Sequence, residues 1–236
     1  MKKTICVILV LVFAAVIVYS CYRIWGIQAD YKKEAELHGA VMEYRPEDPS
    51  EFVNQSVIDL QAKYPDAAGW LTVPGTNVDY PFVQGKDNGY YLRRDIDGND
   101  AAAGTIFMDS RCARDFTSRN TILYGHHMKN SSMFGTLKAF NDKSFYENNR
   151  QGVIYLPRST LTLEIFAYMV IDPSTEKEIY NPALSDTYFD CVQQNAKHYR
   201  DIGITTEDRI VTLSTCAYEF DNARMVLLAR VLPERP

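Results

Sequence analysis

Cys216 ends the run Ile210-Val211-Thr212-Leu213-Ser214-Thr215, whose length and β-branched content read as a strand. A strand end suits a nucleophile, because the neighbouring strands fix its direction. The reactive form is the thiolate, so a working cysteine needs a basic or cationic neighbour. Arg224 begins the next strand eight residues later. A short connection between antiparallel strands brings the two to one edge, where a guanidinium can stabilise both thiolate and oxyanion. The plainer alternative is a buried cysteine beside a surface arginine.

The base must come from a short supply: His38, His126, His127 and His198. His38 lies in a charged segment near the start and His198 at a charged helix end, so both are read as solvated. His126 and His127 follow Thr121-Ile122-Leu123-Tyr124-Gly125, again at a strand end. Side chains on an extended segment alternate, so one of the pair can face Cys216 and the other cannot. A His–Cys pair can do general acid/base work on acyl transfer. Metal binding by the His-His pair lacks further ligands, and neither C-x-x-C nor H-x-x-x-H occurs. No metal and no cofactor is expected.

These residues need a scaffold of strands. Gly69 to Val73 runs into the turn pair Pro74-Gly75 and then Val78 to Val83. Gly104 to Asp109, Thr121 to Tyr124, Gly152 to Leu156 and Leu161 to Ile171 follow, the last two joined as a hairpin through Pro157-Arg158-Ser159-Thr160. A helix is expected from Ser185 to Tyr199, with Phe189, Val192, Ala196 and Tyr199 on one stripe, before strands from Arg209 and Arg224. Roughly eight short strands with few helices point to a mainly β fold, a closed or nearly closed barrel rather than a βαβ sheet. Earlier, Ser50 is expected to cap a helix with Val53, Val57, Leu60 and Tyr64 on one face, ended by Pro65.

The bulk composition narrows the partners. With 236 residues, 46% apolar and 23% charged, the chain is long enough for one well-packed domain and is not a disordered tail. A net charge of -5 gives no basic footprint, so nucleic acid is excluded as a partner. Lys2 and Lys3 precede an apolar run from Ile5 to Tyr22, roughly 27 Å as a helix, close to the thickness of a bilayer core. A cleaved signal peptide has a shorter apolar region and an A-x-A-like site. Here the run ends in Ser20-Cys21-Tyr22-Arg23-Ile24-Trp25, so a retained anchor is favoured, with Lys2 and Lys3 inside and the rest outside. That leaves Cys112, Cys191 and Cys216 in the exported part. Three is odd for an oxidising compartment, so at least one thiol is unpaired there. Cys112 and Cys191 are read as ordinary thiols, a bridge between them being the alternative.

Taken together, Ile122-Leu123-Tyr124-Gly125-His126-His127-Met128, then Thr212-Leu213-Ser214-Thr215-Cys216, then Arg224 resemble the sortase signature. In that family a histidine comes first, then a cysteine preceded by T-L-x-T, then an arginine on the adjoining strand. Trp70 to Thr76, Tyr80 to Gly85 and Gly104 to Asp109 resemble class B members in particular, and the likeness covers nearly all of the chain beyond about residue 50.

The resemblance implies a closed eight-stranded β-barrel with N-terminal helices and one helix before the late strands. It implies residues 1–26 as membrane anchor, 27–66 as helical stalk and 67–236 as catalytic barrel. It implies a Gram-positive, single-pass enzyme of the outer membrane face that cuts a sorting signal near the C-terminus of exported proteins. A thioester on Cys216 would then pass to an amine of cell-wall peptidoglycan precursor. His126 matches the catalytic histidine and His127 no required role, while Arg224 would hold the oxyanion or substrate backbone. Asn88, Leu92, Tyr180 and Ser214 match positions lining the signal-binding groove. Where some class B members carry an acid after the nucleophile, this chain has Ala217, with Glu219 further on. The rival is a secreted cysteine peptidase that only hydrolyses; papain-like enzymes, however, place cysteine before histidine, the reverse of the order here.

Overall fold

Strand β6 (Ser159–Ile171) is thirteen residues long, and its length shapes the barrel. In this computed structural model, which describes residues 2–217 and 220–233, helix α1 (Lys2–Val41) and α2 (Gln55–Lys63) come first. Strands β1 (Ala67–Thr72), β2 (Asp79–Val83), β3 (Phe107–Met108) and β4 (Asn120–Tyr124) follow. After α3 (Lys143–Asn148) come β5 (Gln151–Leu156), β6, α4 (Tyr188–Asn195), β7 (Ala196–Tyr199), β8 (Ile210–Cys216) and β9 (Arg224–Val231).

The sheet order is β5-β1-β2-β3-β4-β8-β9-β6-β7, and β5 also pairs with β6. That extra pairing closes eight strands into a ring, the barrel the sequence leads one to expect, with β7 outside it. One edge of β6 serves two neighbours: Ser159–Glu164 pairs with β5, and Ala167, Tyr168 and Met169 pair with β7. Its other edge runs along β9, with a bulge between Ile165 and Ala167.

Inside the ring, Leu71, Phe82, Met108, Ile122, Leu213 and Leu227 are buried together. On the outer face of β6, β8 and β9, Phe166, Ile210, Val226 and Leu228 are buried with Tyr188 and Val192 of α4. With both faces covered, β8 is buried without a break from Ile210 to Thr215, the hydroxyl residues Thr212, Ser214 and Thr215 included.

Several local expectations are corrected. Helix α4 stops at Asn195, and Ala196–Tyr199 is a strand, because the edge of β6 left open beyond β5 takes it as a partner. Ala196, Tyr199 and Phe189 still pack on the α4-covered cluster, so the apolar stripe is satisfied by either geometry. Ser50 does not cap α2; it bonds Asp48 in a turn, and Val53 is exposed. The N-cap is Asn54, whose amide Nδ2 donates to the carbonyls of Leu156 and Ser159, holding the β5–β6 turn. The strand expected over Gly104–Asp109 shrinks to β3. Gly104 has φ +58, and a side chain there would meet the Tyr91 carbonyl at 2.6 Å, so this stretch packs as loop.

Helix α1, through residue 40, forms a compact unit separate from residues 41–233. It passes through Gly26 without a break, and its apolar window has a mean hydropathy of 2.8, long and apolar enough to cross a membrane. All forty residues span about 60 Å at 1.5 Å per residue, about twice the thickness of a bilayer core.

Candidate active site at the ends of β4, β8 and β9

Strands β8 and β9 pair antiparallel through seven registered positions, ending with Cys216 opposite Arg224. Ala217 N donates to the Ala223 carbonyl at 2.9 Å, beginning the turn. Asn222, at φ 62, takes the left-handed conformation that asparagine tolerates. Arg224 Nη1 donates to the Asn222 and Ala223 carbonyls at 3.1 and 2.9 Å, so the guanidinium is braced on its own turn. It has no carboxylate within ion-pair distance among the described residues. Glu219 lies outside those residues.

Strand β4 runs parallel to β8, with Tyr124 opposite Ser214, and Gly125 N donates to the Ser214 carbonyl at 3.2 Å. The chain then carries His126 past the end of β8. Gly125 is required there, because a Cβ would stand 2.8 Å from the Phe134 ring. The two histidines take different partners. His126 Nε2 donates to the Leu92 carbonyl at 2.6 Å, and its Nδ1 has no partner among the described residues. His127 Nδ1 donates to the Cys216 carbonyl at 3.1 Å, so the second imidazole tethers the backbone of the strand end. The sequence offers no sign of that contact beyond the alternation of neighbours.

A cleft of about 380 Å³ opens beside this point, lined by Arg111, Tyr124, Lys177, Tyr180, Ser214 and Arg224. Tyr180 closes the 3₁₀ turn Lys177–Tyr180 and shares a 2.9 Å hydrogen bond with Ser214 Oγ. Burial pushes its phenol up to about 12, so it is a neutral hydroxyl at any working pH. Its ring stacks on Tyr124, with centroids 6.3 Å apart and planes within 8°.

Behind the wall lies a group that sequence reasoning missed. Asp109 is fully buried; its carboxylate accepts from Arg111 Nε and Nη2 at 2.9 and 2.8 Å and from the Tyr124 hydroxyl at 2.9 Å. Burial would raise this carboxyl, but the bonds from Arg111 and Tyr124 outweigh it and hold the group below its ordinary value. Arg111 Nη2 also donates to the Tyr180 carbonyl at 3.1 Å. The available signal was an acid ending an apolar strand with an arginine two residues on.

Of the expected groove residues, Tyr180 and Ser214 line the cleft with Arg224, whereas Asn88 and Leu92 do not. Asn88 Oδ1 accepts from Ser110 N at 2.8 Å, tying its loop to the Asp109–Arg111 corner. Leu92 reaches the site through its carbonyl on His126, and its side chain is exposed. All five cysteines are free.

The sortase domain profile matches residues 71–232. The chain is 35% identical to sortase B of Listeria monocytogenes over 187 residues, covering 76% of this chain and 75% of that one. It is 29% identical to sortase B of Staphylococcus aureus over 231 residues, covering 96% and 93%. A mutant form of Clostridium perfringens sortase B superposes with a TM-score of 0.77 at 31% identity, covering 84% of this chain and 98% of that one. The chain therefore belongs to the sortase family, in its class B, and is a cysteine transpeptidase of the kind that attaches proteins to the cell wall.

Proposed function

We propose that residues 1–26 hold this enzyme in a bilayer as a single-pass anchor, residues 27–66 form its stalk, and residues 67–236 work on the extracellular face. Its donor is the C-terminal sorting signal of an exported protein, and its acceptor an amine of peptidoglycan precursor. The observation that carries the reading is the meeting of Cys216 and Arg224 at one register position, with the strand bearing His126 alongside.

In this reading the Cys216 thiolate attacks the scissile carbonyl, and Arg224 stabilises the oxyanion with donors its turn leaves unused. Collapse forms the thioester and breaks the C–N bond, and the leaving amine takes its proton from His126. Because Nε2 is tied to Leu92, the nitrogen that gives and later takes the proton is Nδ1. The incoming amine attacks the thioester, loses a proton to His126, and expels the thiolate. Tyr180 and Ser214 flank the bound signal, and Asn88 and Leu92 shape the neighbouring loop.

The test uses the full chain in detergent with peptides of N-P-x-T-x and x-P-x-T-G type, with and without an amine, read by mass spectrometry. Cleavage that Cys216→Ala abolishes, with an amine-linked product, is expected. Cysteine-dependent release of only the free acid across a range of amines would make the enzyme a hydrolase. No cleavage, with Cys216 inert to thiol reagents, would overturn the reading.

A further inference from the structure

The cleft beside Cys216 carries more positive charge than the reaction above uses. Besides Arg224, it is lined by Lys177 and Arg111, on two other segments of the chain, and by no Asp or Glu among the described residues. Lys177 is exposed and has no hydrogen bond or ion pair to any described residue. Arg111 is held by Asp109 and the Tyr180 carbonyl through Nε and Nη2, leaving Nη1 without a partner among the described residues. Of the nearby acids only Asp109 is ion-paired among the described residues; Asp172, Glu176 and Glu178 keep their charge but lie outside the lining and bond neutral groups. Asp109 is bound by Arg111 and Tyr124, Asp172 by Ser174 and Asn222, Glu178 by Ser185, and Glu176 by Cys191 and Asn195. Lys177 and Arg224, on separate elements, lack an ion-pair partner among the described residues, and Arg111, although paired with Asp109, keeps one free N–H edge; such a concave set of donors attracts an anion.

We propose that this cleft binds a peptide carboxylate, with Lys177 and the free edge of Arg111 as its receptors beside Arg224. The class of anion rests on the reading given under Proposed function: both reactants there are peptides, and a peptide's own anion is a carboxylate. The flat face of the stacked Tyr124 and Tyr180 rings supplies the apolar wall against which the chain bearing that carboxylate lies. The carboxylate comes either from an acidic residue of the peptide being cut or from the amine-bearing acceptor.

The first readout needs no turnover. The full chain in detergent is alkylated with iodoacetate or with iodoacetamide, and modification of Cys216 is followed by peptide mass spectrometry. The iodoacetate-to-iodoacetamide rate ratio should fall about three- to tenfold in Lys177→Gln, fall further in Lys177→Glu, and return in Lys177→Arg. A ratio unchanged across these variants overturns the proposal. The second readout finds the source. Signal peptides are compared as Glu/Gln pairs at each variable position, and acceptors as triglycine against triglycinamide. One pair should favour the carboxylate form in kcat/KM, a preference lost in Lys177→Gln; indifference in both, with cleavage proceeding, overturns the proposal. A ratio that responds to Lys177 while no peptide is cleaved supports the anion site and counts against the transpeptidation reading.

Discussion

The two sides of the site are built differently. On the nucleophile side, Cys216 and Arg224 are located by main-chain pairing, the last of seven register positions between β8 and β9. On the cleft side, Tyr180 is located by side chains: a hydroxyl shared with Ser214, a ring stacked on Tyr124, and its carbonyl held by Arg111. A backbone ladder keeps its geometry when a side chain changes, whereas a wall of side chains loses a contact with each change. The chemistry thus stands on the rigid side and the contacts open to variation on the adjustable one.

Four substitutions test this division. The largest effect is expected at Arg224→Lys, where a single ammonium cannot match the guanidinium's spread of donors. We expect a loss of about a hundred- to a thousandfold in kcat/KM, about 3–4 kcal/mol, with little change in melting temperature. A loss under tenfold would mean that register alone does not place a catalytic group here.

Gly125→Ala comes next, because its Cβ would press on the Phe134 ring at 2.8 Å where β4 leaves the sheet. About 2–3 kcal/mol of stability should disappear in denaturant unfolding, carrying activity with it. A neutral effect would show that the Phe134 side yields, and that the backbone side is softer than claimed.

Asp109→Asn tests the support of the wall and carries a sign in pH. The folded carboxyl lies below its ordinary value of 3.8, so its contribution is present above that pH and is lost as pH falls through the lower folded value. The variant should be about 2 kcal/mol less stable at neutral pH and lose less on acidification below about pH 4 than the parent. Parallel acid limbs for the two proteins would remove Asp109 from that role.

Tyr180→Phe should be the mildest. It deletes the hydroxyl bond to Ser214 and keeps the stack on Tyr124. A three- to tenfold rise in KM with kcat held within twofold is expected, about 1 kcal/mol. A kcat loss as large as that of Arg224→Lys would erase the distinction between the two sides.

The same division explains what could be read from the chain beforehand. Cys216, Arg224 and the strand before His126 sit where apolar runs begin or end, and such runs announce strands and their order. The Asp109–Arg111–Tyr124 group behind Tyr180 is not legible because it joins residues distant in sequence, partly through loops without periodicity. The helix expected to reach Tyr199 failed for a related reason: an apolar stripe looks the same in a helix and in a short strand recruited by an open edge. Asn54 shows a third case, a capping residue whose side chain is drawn away to the β5–β6 hairpin. The tether from His127 to the Cys216 carbonyl was hidden because alternation tells which way a side chain points, not what it will find there.

The shared edge of β6 gives the cleft wall a particular thermodynamic standing. The excursion that carries Lys177 and Tyr180 leaves β6 after Ile171 and returns as β7, with Ala196 paired to Met169 of the same strand. Its two ends are therefore held one strand spacing apart by a pairing separate from the eight-stranded ring. For a flexible segment closed in this way, doubling the length adds only about 0.6 kcal/mol of closure entropy. Ile179, Tyr188 and Val192 of this excursion are buried on the outer face of the barrel, so length can be added at small cost only in the exposed turns between them, where a change leaves Cys216 and Arg224 where they stand.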